Sequence, residues 1–264
     1  STLFPYTTLF RSPYRAGPSG GPAAYVALGD SYAAAPLVPA PDPSSPACLR
    51  SRSNYPRAAA DALGARLTDV SCSGARVTDF SDRQFGIVRA QYEALTPDTG
   101  IVSLTIGGND TDLVATAVNC VNTQPEPAGV SCADRYTSGG RDQVAERIDA
   151  WAPELGRALD EIHRRAPRAK VFVVGYGDFI RKGGCHPVQP VWSRDADYIQ
   201  GQVNHLNQVL RTGAEAHGAA FVDTFSVSTG HDSCAPAGTR YLEGLVPTAI
   251  WRSEERRVGK ECRS

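Results

Sequence analysis

Residues 24–32 read Ala24-Tyr25-Val26-Ala27-Leu28-Gly29-Asp30-Ser31-Tyr32. An apolar run of strand-forming residues stops at a glycine, and a carboxyl and a hydroxyl follow at once. Such a run predicts a buried first strand, with Ser31 at its carboxyl end. In open α/β sheets that edge is where ligands bind. If Ser31 is a nucleophile, the rest of the chain has to supply oxyanion donors and a base.

Working outward, four more runs end in Gly, Ser or Asp as strands feeding loops do: Leu67–Ser71, Ile101–Ile106, Val171–Val174 and Ala220–Val222. Helical periodicity lies between them. Val144, Ile148, Trp151, Leu155, Leu159 and Ile162 recur at steps of three and four, as do Ile199, Val203, Leu206 and Leu210. Tyr55–Leu63 reads as a shorter, Ala-rich helix. Strands alternating with helices predict an α/β domain with a parallel sheet covered on both faces. Residues 36–54 and 119–141 read as long loops, and each carries cysteines.

The bulk numbers exclude several classes. Apolar residues make up 41% and charged residues 21%, ordinary for a globular protein, and the net charge is −1. That balance gives no electrostatic case for nucleic acid or an anionic membrane surface. No stretch approaches the ~20 apolar residues that span a bilayer.

Both ends differ from the Ala/Gly/Pro-rich interior. Residues 1–12 and 252–264 resemble translated sequencing-adapter read-through, and the chain contains no Met. Both are expected to be non-native and are set aside. One domain over residues 13–251 is then expected, truncated at its carboxyl end. Of seven cysteines, Cys262 falls in the tail. The remaining six are Cys48, Cys72, Cys120, Cys132, Cys185 and Cys234. None forms a Cys-x-x-Cys pair, so metal ligation is not expected, and their even number suggests disulfides and export. Sequence proximity favours only Cys120–Cys132, and fifteen pairings of six are otherwise open.

Three polar turns follow the first three strands: Gly29-Asp30-Ser31-Tyr32, Ser71-Cys72-Ser73-Gly74-Ala75 and Ile106-Gly107-Gly108-Asn109-Asp110. In a parallel sheet they converge on one edge. Acyl transfer needs a hydroxyl free to attack and N–H donors for the developing oxyanion. Ser31 offers its hydroxyl and its own N–H. Gly74 has no side chain to keep a substrate oxygen from its N–H. Asn109 carries a neutral NH₂ donor. Each signal alone is weak, since Gly-Asp-Ser and Gly-Gly-Asn-Asp turns are common. Three in order, each after a strand, are not.

With these motifs and Gly230-His231-Asp232-Ser233-Cys234, the chain resembles the SGNH (GDSL-type) serine hydrolases over about residues 24–246. Within that superfamily it is most similar to secreted actinobacterial esterases and lipases with three disulfides. The resemblance implies a flavodoxin-like three-layer α/β/α sandwich with five parallel strands in the order 2-1-3-4-5. It implies Ser31 as nucleophile, with Gly74 and Asn109 completing the oxyanion hole, and an acyl-enzyme intermediate. It implies the pairs Cys48–Cys72, Cys120–Cys132 and Cys185–Cys234, a secreted monomer, a small-molecule or lipid ester as substrate, and no metal or organic cofactor.

The family's fourth motif, Asp-x-x-His-Pro-Asn or a variant, supplies the base and follows the segment matching Tyr241–Pro247. No His occurs after His231. The catalytic His, its Asp partner and the last helix are expected to be missing, leaving a weakly active or inactive chain. The other histidines do not fill the role. Asp160 and His163 sit in a predicted helix as an ordinary surface pair. His205 and His217 read as helix residues, His186 as a loop residue on the active-site side, and His231 as structural or pocket-rim.

Two further readings stay open: a carbohydrate acetyl esterase of the same superfamily, or a non-catalytic binding domain on this scaffold. Loops such as 36–54 and 178–194 would set the choice between acyl and acetyl substrates. A nucleotide-binding domain is disfavoured, because no Gly-rich phosphate loop follows the first strand.

Overall fold

The computed structural model describes residues 21–246. Both adapter-like ends and Cys262 lie outside the described residues. Two compact units are present. One comprises the described residues up to Thr111 with Ile148–Tyr176 and Leu206–Asp223. The other comprises Asp112–Arg147, Gly177–His205 and the described residues from Thr224.

The first unit holds the sheet. Its strands are β1 (Ala24–Gly29), β2 (Arg66–Asp69), β3 (Ile101–Thr105), β4 (Lys170–Val174) and β5 (Ala220–Val222). All neighbours are parallel, in the order β2-β1-β3-β4-β5. This is the α/β architecture and strand order expected. Register pairs Tyr25 with Ile101 and Gly29 with Thr105, so the Ser31 turn begins level with the end of β3. Every residue of β3 and all but the first of β1 are buried, so both faces of the sheet are covered.

Ser31–Ala34 forms a single turn, α1. The predicted Tyr55–Leu63 helix, α2, has those bounds. Asn54 caps it by accepting from Arg57 N, Pro56 sits in its first turn, and Gly64 ends it in the left-handed region at φ 60°. Its Ala60 packs against Tyr25, Ala27 and Ile101 on one sheet face.

The two long periodic segments are helices α5 (Gln143–Arg165) and α6 (Ser193–Ala216). Within the first unit they meet closely: Gly213 has no Cβ because Leu155 Cδ2 would lie 2.6 Å from one.

In the second unit, α3 (Leu113–Asn119) and α4 (Cys132–Tyr136) precede α5. The stretch 119–141, expected as loop, therefore contains a short helix. Ser131 starts it by accepting from Asp134 N, and Asp195 holds that start by accepting from Ser131 Oγ at 2.6 Å and Ala133 N at 2.9 Å. The last element, α7, is Phe225–Ser228. The six cysteines pair Cys48–Cys72 in the first unit, and Cys120–Cys132 and Cys185–Cys234 in the second. No helix among the described residues is long and apolar enough to cross a membrane.

Candidate active site

Ser31, Gly74 and Asn109 all belong to the first unit, and a chain of hydrogen bonds ties their three turns together. The Ser31 turn is set by Gly29, whose φ of +130° is open to glycine alone. A Cβ there would lie 2.4 Å from Thr105 O. Asp30 then donates its N–H to Thr105 O and caps α1, its Oδ1 accepting from Tyr32 N at 2.9 Å. Ser31 is left at the first position of the helical turn, where an N–H has no intrahelical acceptor.

The second turn is held from two sides. Cys72 N donates to Gly29 O, and Ser73 N donates to Cys48 O beside the Cys48–Cys72 bridge. Strand β2 stops at Asp69, two residues short of the expected Ser71. The reason is local: Asp69 Oδ1 accepts from both the N–H and the hydroxyl of Ser71, and Ser71 O accepts from buried Arg50. Val70 N and Cys72 N still donate to Ala27 O and Gly29 O, so side chains have replaced only the other half of the ladder.

The third turn depends on Gly107 at φ +115°. A Cβ there would sit 2.8 Å from the Trp151 ring. Asn109 follows, and its Nδ2 donates to Ala75 O at 2.9 Å, joining the third turn to the second. Asp110 Oδ1 accepts from Val77 N at 2.9 Å in the same direction. Burial raises the Asp110 carboxyl above its ordinary range, and the Val77 N–H opposes that rise.

Tyr176, just past β4, closes the ring. Its hydroxyl donates to Asp30 Oδ2 at 2.5 Å and accepts from Gly108 N at 2.9 Å. One phenol thus links the first turn to the third. Its ring meets Tyr32 edge-on at 5.3 Å, and Asn207 holds its backbone through two 2.8 Å bonds. Burial pushes the Asp30 carboxyl up to about 7, opposed by the Tyr176 and Tyr32 donors. The Tyr176 hydroxyl is held well above its ordinary range by burial and by the adjacent Asp30. Gln91 completes the frame, its amide donating to Gly29 O and accepting from Gly29 N.

What this arrangement leaves open is as informative. Among the described residues, the N–H groups of Ser31 and Gly74 donate to nothing, and the Ser31 hydroxyl has no partner. Asn109 uses one of its two amide hydrogens on Ala75 O. Three donors and a hydroxyl are therefore available on these three turns.

All five histidines are described. Asp160 pairs with His217 Nδ1 at 2.7 Å, not with His163 as its spacing suggested. The His163 Nε2 is buried with no partner, so that residue is not an ordinary surface group. His217 lies just past the end of α6. His186 Nε2 lies 3.2 Å from Asn122 O. His231 stacks on Tyr241 at 4.0 Å, and its Nδ1 lies 2.6 Å from Thr239 O.

The sequence reading passed over Tyr176, Gln91, Arg50 and Asp110 as site residues. Only Asp110 carried a signal, as the residue that ends the Gly-Gly-Asn-Asp turn. Among the described residues no group of three or more His, Cys, Asp or Glu is arranged to hold a metal ion.

A model of the GDSL-like Lipase/Acylhydrolase family matches residues 27–249. The chain is 39% identical over 228 residues to Lipase 2 of Streptomyces coelicolor, covering 84% of this chain and 76% of that protein. It is 36% identical over 215 residues to a lipase of Streptomyces rimosus, covering 81% and 74%. Among solved structures, the extracellular lipase of Streptomyces rimosus superposes with a TM-score of 0.72 at 29% identity, over 86% of this chain and 90% of that one. Phospholipase A1 of Streptomyces albidoflavus gives 0.70 at 27% identity, over 91% and 99%.

Proposed function

Because the chain belongs to the GDSL-like Lipase/Acylhydrolase family, we propose that it is a secreted carboxylic ester hydrolase in which Ser31 attacks the ester carbonyl. Ser31 Oγ forms the new C–O bond, and the carbonyl electrons move onto its oxygen. The N–H groups of Ser31 and Gly74 and the Nδ2 of Asn109 receive that oxyanion. Collapse breaks the ester C–O bond, the departing oxygen takes up the proton that Ser31 has lost and leaves as the alcohol, and the acyl group stays on Ser31 until water removes it. The observation that carries this reading is the set of unpaired donors beside an unpaired hydroxyl, on three turns locked by Asp30, Tyr176 and the Cys48–Cys72 bridge. Relatives named as lipases and an esterase, and the disulfides, support the class and its export.

The finer reading is that this 264-residue chain has no histidine base for Ser31. What supports it is that the Ser31 hydroxyl has no partner, while His186, His217 and His231 bond to other groups. A base removes the serine proton and returns it to the leaving alcohol, and its loss in a triad enzyme costs orders of magnitude in rate.

The test combines labelling with rescue. A fluorophosphonate should modify Ser31 alone and slowly. Added imidazole should speed p-nitrophenyl ester hydrolysis by this chain above the background seen with Ser31→Ala. Fast turnover without imidazole would refute the missing base and leave the nucleophile standing. Absence of Ser31 labelling under both conditions would refute the nucleophile. Acetylated xylan tested beside the p-nitrophenyl esters separates acyl from carbohydrate acetyl substrates.

A further inference from the structure

Helix α3 reads Leu113-Val114-Ala115-Thr116-Ala117-Val118-Asn119 and carries no charge. Its inner face is ordinary. Leu113, Thr116 and Cys120 are buried, and Ala117 packs on the cluster that holds Cys120 and Cys132. Its outer face is not. Val114, Val118 and Val121 follow at steps of four and three, and Val121 N donates to Val118 O in the turn that extends the helix. They are 51%, 55% and 41% exposed. A surface helix normally turns charged and polar residues outward. Valine is also a poorer helix former than Lys, Glu or Gln, because its branched side chain loses rotamers there. Folding gains little from these three side chains, by burial or by propensity.

Two loops of the same unit add to the stripe. Gly129 lies against Asn122, where a Cβ would come 2.2 Å from Nδ2, which brings the backbone of Val130 beside that of Val121. Asn122 N donates to Pro190 O at 2.6 Å, and Trp192 Nε1 donates to Gln124 O at 2.8 Å, which holds the loop of Val188 to the same segment. Val130 is 73% exposed and Val188 56%. The Cys120–Cys132 bridge closes the segment between them. From residue 113 to 131 the one charged residue is Glu126. Charge stands at the ends of α3, in Asp112 before it and in Arg135, which donates to Asn119 O at 2.9 Å.

These features narrow the occupant. Five valine side chains fall short of the roughly 800 Å² that each partner buries in a stable protein interface, which argues against a second copy. Side chains standing out from a helix make a convex ridge, whereas small molecules take concave sites. The stretch offers no charge to an anionic surface. A fluid lipid surface without net charge fits all three, because it moulds itself to a ridge and rewards each apolar side chain that enters it.

We propose that α3 and the loops of Val121, Val130 and Val188 dock the protein on zwitterionic lipid surfaces. The proposal rests on the ester-hydrolase reading for the reason such a surface is visited, but docking needs no reaction at Ser31. Arg135 keeps its charge in water at the rim.

The experiment is co-sedimentation of the full chain with phosphatidylcholine vesicles. Burying a half-exposed valine strengthens binding about fivefold. Val114→Ser and Val118→Ser should each weaken it about fivefold, and together about 25-fold. Serine and valine have similar helix propensities, so Tm should hold. Ile87→Ser, at an exposed position in the other unit, should leave binding unchanged. Phosphatidylglycerol in the vesicles, or NaCl at about 0.5 M, should not change it either.

Unchanged binding by the double variant would overturn the proposal, as would an equal loss in Ile87→Ser. So would binding that requires phosphatidylglycerol or vanishes in salt, which marks an electrostatic contact. A dimer in sedimentation velocity that Val118→Ser dissociates would overturn it in favour of a second copy. Valine-dependent vesicle binding by a chain whose Ser31 resists fluorophosphonate would uphold the dock and sink the nucleophile. Labelling of Ser31 without vesicle binding would do the reverse.

Discussion

Tyr176→Phe removes one oxygen that serves two turns. In the wild type that oxygen donates to buried Asp30 at 2.5 Å and accepts from Gly108 N at 2.9 Å. The phenyl ring keeps its packing against Tyr32, so little volume is lost. Two buried groups are orphaned instead. An unpaired buried N–H costs about 1–3 kcal/mol, and a bond to a charged group is worth about 1.5–3 kcal/mol. At pH 8, with Asp30 ionised, the variant should lose about 3–5 kcal/mol.

The loss should depend on pH, and its sign follows from Asp30. Burial raises this carboxyl from 3.8 to about 7 in the folded protein. Between those values the folded state holds a proton that the unfolded state has released. Stability contributed by the protonated carboxyl is therefore complete below about pH 4 and is lost as pH rises towards 7. The shift corresponds to about 4 kcal/mol. Tyr176→Phe deletes a donor that favours the ionised form, so the folded carboxyl moves higher still and the decline extends past pH 7. At pH 5 Asp30 is already neutral, and the variant should lose only the Gly108 contribution, about 1–2 kcal/mol. Urea unfolding at pH 5 and pH 8 measures both. An equal loss at the two pH values, or a loss under about 0.5 kcal/mol at pH 8, would refute the role given to this oxygen.

Four further outcomes follow from the same frame. Asn109→Ala should slow acyl transfer to Ser31 by about 10²–10³-fold in single-turnover assays, and loss of its bond to Ala75 O should cost about 1 kcal/mol of stability. Gly107→Ala forces a Cβ against Trp151 at φ +115° and should lower stability by about 2–4 kcal/mol in urea titrations, together with phosphonate labelling. Opening Cys48–Cys72, which closes a 24-residue separation, should cost about 3.5 kcal/mol by the chain-entropy model and slow Ser31 labelling. Opening Cys120–Cys132, over 12 residues, should cost about 3 kcal/mol and leave labelling intact.

Much of this was legible because it is local. The five strands announce themselves as β-branched and apolar runs cut off by Gly, Asp or Ser, and α2 by Asn54, Pro56 and Gly64 around an Ala-rich run. The three polar turns could be placed on one edge as soon as the sheet was taken to be parallel. The frame that locks them was not legible. Tyr176 is 146 residues from Asp30, and Gln91 is 62 from Gly29. A Tyr after a strand and a Gln in an irregular stretch have no periodic signature. The early end of β2 was hidden for a related reason: half of its ladder yields to bonds from Asp69 and Arg50 side chains, while Val70 N and Cys72 N still reach β1. Asp160 shows the converse error, since an i,i+3 spacing suggested His163 while the fold brings His217 to it.

The most direct test of the account is mass spectrometry of the full chain after brief exposure to a p-nitrophenyl ester, with acid quench and peptide mapping. The account predicts one acyl group per chain, on the peptide containing Ser31, accumulating because water removes it slowly, and absent from Ser31→Ala. Acyl groups confined to lysines or other residues, with Ser31 unmodified while p-nitrophenol is released, would contradict it.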